Sequence, residues 1–260
     1  INLLKEAFKD GDDSLIFPIS QPDISIYPTS PEFAEYLKKS IQSSILRHNR
    51  SNPVLRLWHI SESLFAASKK QALFTFHETS EITPYEINVL KNQDVVITSS
   101  EYSKSVFESF GLSNVVYCPL GFDAESFGRK EKVYNKDCIT FNICGKLEKR
   151  KAHKQMIRAW CRKYGNKPEY RLQLAVYNQF LNMRNEMSGE MVDYNNNALS
   201  DIFEGRPAPF NVNVMPNFLN SNSLYNDFLN SADIILGMSM GEAWGLPEFQ
   251  SVAIGKHAVL

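Results

Sequence analysis

The sequence predicts an α/β protein with parallel sheets, arranged as two lobes. Three observations carry that prediction. Short apolar runs recur along the chain and are too continuous for a sheet with one wet face. Amphipathic stretches with apolar residues every three or four positions lie between several of them. A turn-rich, charged segment without periodicity, CPLGFDAESFGRKEKVYNKD at 118–137, separates two such strand–helix series.

Taken in order, INLLKEAFKDG reads as a first helix, with Leu3, Leu4, Ala7 and Phe8 on one side and Gly11 as its stop. No strand precedes it. The chain begins at Ile1 without a methionine and ends at Leu260 inside an apolar run, so a strand before residue 1 and further elements after residue 260 are expected, with the fold truncated at both ends. Strands are expected at SLIFPI, PVLRLWHI, ALFTFH, DVVITSS and VVYCPL, and then at CITFNICG, RLQLAVY, FNVNVMP, ADIILGMS and KHAVL. SSEYSKSVFESFG is a helix with Ser99 or Ser100 as N-cap, Tyr102, Val106 and Phe110 at spacing four, and Gly111 as its stop. RKAHKQMIRAWCRKYG puts Met156, Ile157, Trp160, Cys161 and Tyr164 on one face, and NSLYNDFLNSA does the same with Leu224, Tyr225, Phe228 and Leu229. Pro247 suits the first turn of a short helix that Gly255 ends. The Asn-rich stretch at about 179–208 reads as an excursion from the second lobe. The expectation is two Rossmann-like, doubly wound domains, 1–122 and 123–260, with ligands at the carboxyl ends of the strands in the cleft between them.

Composition bounds the function. Hydrophobic residues make up 43% of 260, enough for a core of ordinary size. A net charge of −1 excludes a broad basic face dedicated to nucleic acid, though not a local basic patch. Cys118, Cys138, Cys144 and Cys161 form no CxxC pair and have no histidine at zinc spacing. They read as reduced thiols packed as small apolar residues, which points to a reducing, cytoplasmic compartment. No signal peptide is visible, and no apolar run approaches the roughly 20 residues that cross a bilayer.

Three groupings carry chemistry. GKLEKRKAHK, Gly145 to Lys154, follows a strand and opens a helix. Lys146, Lys149, Arg150, Lys151 and Lys154 crowd a helix N-terminus, where positive charge opposes the dipole; an anion would relieve that conflict, although a solvated charged turn explains the composition equally well. His153, among those lysines, reads as a surface residue. GEAWGLPEFQ, Gly241 to Gln250, is a glycine-bearing loop before a helix, a second anion-site geometry. Glu248 falls in the first helical turn, where the dipole suits an acid, while Glu242 lies outside the helix, either as an exposed loop acid or as an acceptor for sugar hydroxyls. FHETSE sets His77 at the end of a strand, and His59 ends another. Each histidine is either structural or part of a site. There is no P-loop, no GxSxG elbow and no carboxylate pair that marks a glycosidase.

In order, FHETSE, NQDVVITSSEYSKSVFESFG, PLGFD, GKLEKRK and SADIILGMSMGEAWGLPEFQSVAIGK resemble the retaining, nucleotide-sugar-dependent glycosyltransferases of GT-B fold. The likeness covers about residues 70–165 and 212–260, and the block Glu-Ala-Trp-Gly-Leu-Pro is its strongest part. HETSEITPYE and GKLEKRKAHK are similar in style to glycosyltransferases of large phages. The resemblance implies an acceptor domain followed by a donor domain, a nucleoside-diphosphate sugar as co-substrate, a glycan, lipid or other hydroxyl acceptor, no metal or other cofactor, and retention of anomeric configuration. Glu242 matches the first of the family's two glutamates, which contacts the donor sugar. The second, a ribose ligand, falls on Gln250. An amide there accepts a weaker hydrogen bond than a carboxylate, by about 1–2 kcal/mol. Lys146 and Lys151 match the basic pair that holds the donor diphosphate, with Gly145, Gly245 and Leu246 beside it; Lys146 stands where the forked Arg is common. His77 lies in the region of the first domain's functional histidine, and a shifted register puts Glu78 there. The family's N-terminal glycine loop would precede Ile1. Two other classes stay open: a GT-B protein that binds a nucleotide sugar or glycan without turnover, and a related enzyme such as an epimerase or phosphorylase.

Overall fold

The computed structural model describes residues 2–19, 29–132, 136–184, 191–215, 219 and 221–260. The chain packs as two units, Ile1–Asp123 and Ala124–Leu260. The α/β class with parallel sheets holds in both. No helix among the described residues is long and apolar enough to cross a membrane.

The first unit opens with helix α1 (Asn2–Lys9) and the longer α2 (Pro31–Arg47). Phe8 of α1 packs on Phe33 and Tyr36 of α2, ring centroids 5.5 and 5.3 Å apart. SLIFPI, expected as a strand, joins no sheet. Ile16 N–H donates to Ser40 O on α2, and Pro18 has no N–H to give a ladder. The sheet is built by β1 (Val54–Leu57), β2 (Gln71–Thr75), β3 (Val95–Thr98) and β4 (Val115–Tyr117), all parallel and in that spatial order. Helices α3 (Pro84–Lys91) and α4 (Glu101–Ser109) cross between β2, β3 and β4. Thr83 and Glu86 form a reciprocal capping box at the start of α3, and Ser100 caps α4. Leu73, Val89, Leu90, Val96 and Phe107 form the fully buried centre of this unit. Cys118, expected to be packed, is exposed just past the edge strand β4.

The second unit runs β5 (Ile139–Lys146), α5 (His153–Tyr164), β6 (Tyr170–Tyr177), β7 (Asn182–Arg184), β8 (Met191–Asp193), α6 (Asn195–Ile202), β9 (Val212–Val214), α7 (Asn222–Asn230), β10 (Ile234–Leu236), α8 (Leu246–Ala253) and β11 (His257–Val259). The main sheet is parallel, in the order β11-β10-β5-β6-β9. β5 and β6 pair over their full length, from Ile139↔Tyr170 to Lys146↔Tyr177. From β5 the chain winds outward through β6 to β9. It then returns to the opposite side of β5 for β10 and β11, so the order reverses between β5 and β10.

The polar excursion after β6 contains the antiparallel pair β7–β8 and helix α6, with residues 185–190 outside the described ones. It is stitched back to the sheet by amides. Asn178 N–H donates to Asn195 Oδ1 at 2.8 Å, and Asn195 Nδ2 donates to Asn178 O at 3.1 Å. Asn211 holds the entry to β9, its Nδ2 donating to Tyr164 O, Lys167 O and Tyr170 O at 2.9, 2.9 and 3.0 Å.

Candidate functional site

In a parallel sheet whose strand order reverses, the loops leaving the two strands beside the reversal part in opposite directions and open a crevice. In the second unit those are the loops after β5 and β10. The first, Leu147–Ala152, ends in a single turn at Lys149–Lys151 and enters α5 through Ala152, whose φ of 53° is left-handed. The second, Gly237–Gly245, enters α8 through Gly245, with φ 76°. Neither helix start carries a side-chain cap. By contrast, α2, α3, α4 and α7 are each capped by a Ser or Thr hydroxyl. The starts of α5 and α8, like that of α6, therefore lack the hydroxyl cap of those four helices, although the Glu248 N–H in the first turn of α8 bonds its own carboxylate.

Backbone contacts fasten the two loops together across about 90 residues of sequence. Met240 N–H donates to Arg150 O at 2.9 Å, and Ser239 Oγ donates to Arg150 O at 3.2 Å and to Gly241 O at 2.9 Å. The Arg150 guanidinium also donates to Gly241 O. On this frame the charges are paired. The Lys151 ammonium makes an ion pair with Glu242 Oε1, and Arg150 Nη1 stands 3.8 Å from Glu242 Oε2. Arg150 Nη2 bonds Glu148 Oε1 at 2.8 Å, and Lys146 Nζ lies 3.2 Å from Glu148 Oε2 and 4.5 Å over the Phe180 ring. Burial works to raise the Glu148 carboxyl, but Lys146 and Arg150 outweigh it and hold the carboxyl below its usual range. The basic cluster of the sequence is thus divided: Lys146, Arg150 and Lys151 join this network, while Lys154 turns to Asp201 at 2.7 Å.

His153, expected on the surface, is buried at 3% exposure. It is the first residue of α5, and its ring turns inward against the sheet. A Cβ on Gly145 would stand 3.9 Å from its Cε1 and Nε2. Its Nδ1 has no hydrogen-bond partner among the described residues. Burial, reinforced by Lys151, lowers its pKa to about 4 against the opposing pull of Glu148 and Glu242. Gly145 itself has φ 127°, a conformation that side chains resist.

Glu248 leans over the start of its own helix. A Cβ on Gly237 would fall 1.9 Å from its Oε1, so the glycine makes room for the carboxylate. Burial raises the pKa of that carboxyl, a bond from its own N–H lowers it, and Glu242 raises it further, for a net upward shift. Gln250, one turn in, has a buried Oε1 with no hydrogen-bond partner among the described residues.

Beside the network a pocket of about 320 Å³ opens at the carboxyl ends of β5 and β6. Cys144, Gly145, Lys146, Tyr177, Met215, Tyr225 and Pro247 line it. Burial pushes the Cys144 thiol up to about 12, Glu248 adding to the effect and its bond to Tyr225 opposing it, so the thiol is protonated and behaves as wall rather than nucleophile. Tyr177, Met215 and Tyr225 were not singled out as site residues by sequence. Each follows or sits on a different element, and only an aromatic at the carboxyl end of a buried strand, as at Tyr177, signals such a role.

His77 belongs to the first unit, just past β2. It is buried, tilted against Phe107 at 5.0 Å, with Nε2 3.2 Å from Thr79 Oγ1 and its carbonyl accepting from Ser103 Oγ at 3.0 Å. Burial lowers its pKa, keeping the imidazole neutral. His59 is exposed and rests edge-on against Trp58, ring centroids 5.4 Å apart.

The backbone is similar to several solved structures. Sucrose-phosphate synthase from Thermosynechococcus elongatus aligns with a TM-score of 0.64 at 12% identity, over 98% of this chain and 73% of that one. A UDP-forming α,α-trehalose-phosphate synthase from Burkholderia xenovorans aligns with a TM-score of 0.59 at 11% identity, over 87% of this chain and 62% of that one. The pneumococcal O-GlcNAc transferase GtfA, solved in complex with UDP and GlcNAc, aligns with a TM-score of 0.55 at 14% identity, over 87% and 44%. The chain thus spans less than two thirds of the length of the last two. The fold is GT-B. No family model matches the sequence, and no curated protein matches it.

Proposed function

We propose that this chain carries the donor site of a retaining glycosyltransferase, which moves a sugar from a nucleoside-diphosphate sugar to an acceptor hydroxyl on a glycan, lipid or other molecule. One observation carries the reading: Lys151 and Glu242 meet between two helix starts that lack side-chain caps, at the strand reversal of a parallel sheet. Such a place suits an anion on one side and hydroxyl groups on the other. The neighbouring pocket has the size and largely apolar walls that suit a nucleobase. The solved neighbours at comparable fold include a UDP-forming synthase and a transferase holding UDP.

In this mechanism the sugar–phosphate bond breaks with positive charge developing on the sugar ring and negative charge on the departing diphosphate. Lys146, Lys151 and the N–H groups of Gly245 and Leu246 stabilise the diphosphate; Pro247 has no N–H to offer, and that of Glu248 bonds its own carboxylate. Gly145 and Gly245 let the backbone come close to it. Glu242 orients the sugar through its hydroxyls, and Gln250 accepts from the ribose. His77 serves the acceptor side as a neutral imidazole, able to take a proton from the incoming hydroxyl. Leaving and entering on one face of the ring gives retention. The reading is of metal-independent transfer, and its setting is the cytoplasm.

Gln250 favours a second reading. With an amide in place of the family's second glutamate, the site binds a nucleotide sugar without turning it over. Calorimetric titration with UDP, GDP and ADP and their sugars, followed by an assay for released nucleoside diphosphate, separates the two. Binding lost in Lys151→Ala together with release supports transfer. Binding without release supports the second reading, and no binding by any nucleotide overturns both.

A further inference from the structure

Resting on that reading of the site, we propose that the Lys151–Glu242 ion pair is a self-inhibiting contact, which a diphosphate must break and by whose breaking Glu242 is released to the sugar. The two groups assigned to opposite ends of the donor hold each other when no donor is there. Lys151 contacts Glu242 Oε1, and the two side chains are only 19% and 27% exposed, so water and salt weaken the pair less than they would a surface pair.

The geometry singles out Lys151 as the partner that changes. Arg150 is tied down, its guanidinium held by Glu148 at 2.8 Å and by the Gly241 carbonyl. Lys151 is a point charge at the end of a four-carbon stem. When an anion draws Lys151 away, Glu242 keeps Arg150 at 3.8 Å from its other oxygen and is not left as an uncompensated acid. The loops need not open for the exchange, because Met240 N–H and Ser239 Oγ clasp them through Arg150 O without help from either charged side chain. The site therefore swaps one ion pair for another on a fixed frame.

The consequence is that Glu242 opposes diphosphate binding although it serves the sugar. Neutralising Glu242 should tighten binding of a diphosphate that carries no sugar by about threefold to tenfold. Calorimetry at low salt with UDP, GDP, ADP and inorganic pyrophosphate reads this directly in the wild-type chain, Glu242→Gln and Lys151→Ala, with thermal melts to confirm that each variant folds. Glu242→Ala removes the same charge and replaces the glutamine variant if that one does not fold. Tighter binding by the Glu242 variant and weaker binding by Lys151→Ala support the contact. Wild-type binding that weakens in Lys151→Ala but is unchanged or weaker in the Glu242 variant overturns the self-inhibition and leaves the donor-site reading standing. Equal binding by wild type and Lys151→Ala, or no binding by the wild type, overturns both.

Discussion

His153 should make the second unit acid-sensitive. Its ring is 3% exposed at the start of α5, and burial holds its pKa at about 4, where an exposed histidine titrates near 6.5. In the unfolded chain the imidazole takes up a proton as the pH falls through 6.5, whereas the folded chain refuses it until about 4. Within that window the unfolded state binds more protons, so stability falls as the pH falls. At about 1.4 kcal/mol for each tenfold change in proton affinity, the whole window is worth about 3 kcal/mol, and the part between about pH 7.5 and pH 5 about 2 kcal/mol. Urea unfolding at those two pH values, followed by the fluorescence of the three tryptophans, of which Trp160 lies on the same helix, measures it. His153→Gln cannot take up a proton but keeps every carboxylate, so the two chains differ by the histidine alone. The wild type should lose about 2 kcal/mol more than the variant on acidification. Equal losses in the two chains would refute the reasoning.

Other perturbations follow from particular contacts. Gly245→Ala should destabilise the second unit by about 1–2 kcal/mol, because an L side chain at φ 76° is strained and its Cβ would stand 3.2 Å from Glu248 Oε2; an unfolding midpoint equal to wild type would refute it. Asn211→Ala should cost about 2 kcal/mol by removing the donor to three carbonyls, and Asn211→Asp should cost more because it turns a carboxylate toward them; thermal melts rank the pair. Thr83→Ala dismantles the capping box of α3 and should cost about 1 kcal/mol, read as faster amide exchange in the first turn of that helix.

The strands of the second unit were legible because the apolar residues of β5 and β6 are concentrated in short stretches, Leu172, Leu174 and Val176 alternating inward along β6. Helix α2 was not, and the reason lies in its buried residues: Phe33, Leu37, Ser40 and Ser44. Phe33, Leu37 and Ile41 keep helical spacing, but serines complete the buried stripe while Ile45 and Leu46 are exposed, so hydrophobicity does not mark the buried face. SLIFPI shows the converse, an apolar run that lies on a helix because Pro18 disqualifies it from a ladder. At the candidate site the charged residues were visible as a cluster, but not which charge faces which. His153 read as surface because its neighbours in sequence are lysines, whereas the turn into α5 rotates it inward. The bond that joins the loops was invisible, since it rests on the N–H of Met240 and the carbonyl of Arg150, and every residue but proline possesses both.

That last feature has a consequence for how the loop can vary. Met240 supplies the clasp with its amide, while its side chain is 67% exposed. Nineteen of the amino acids carry that N–H and proline does not. Position 240 is therefore open to almost any substitution two residues before Glu242. A fluorophore or a new side chain introduced there would sit beside the site without removing that bond, and Met240→Pro alone would remove it, leaving Ser239 Oγ and the Arg150 guanidinium to hold the two loops.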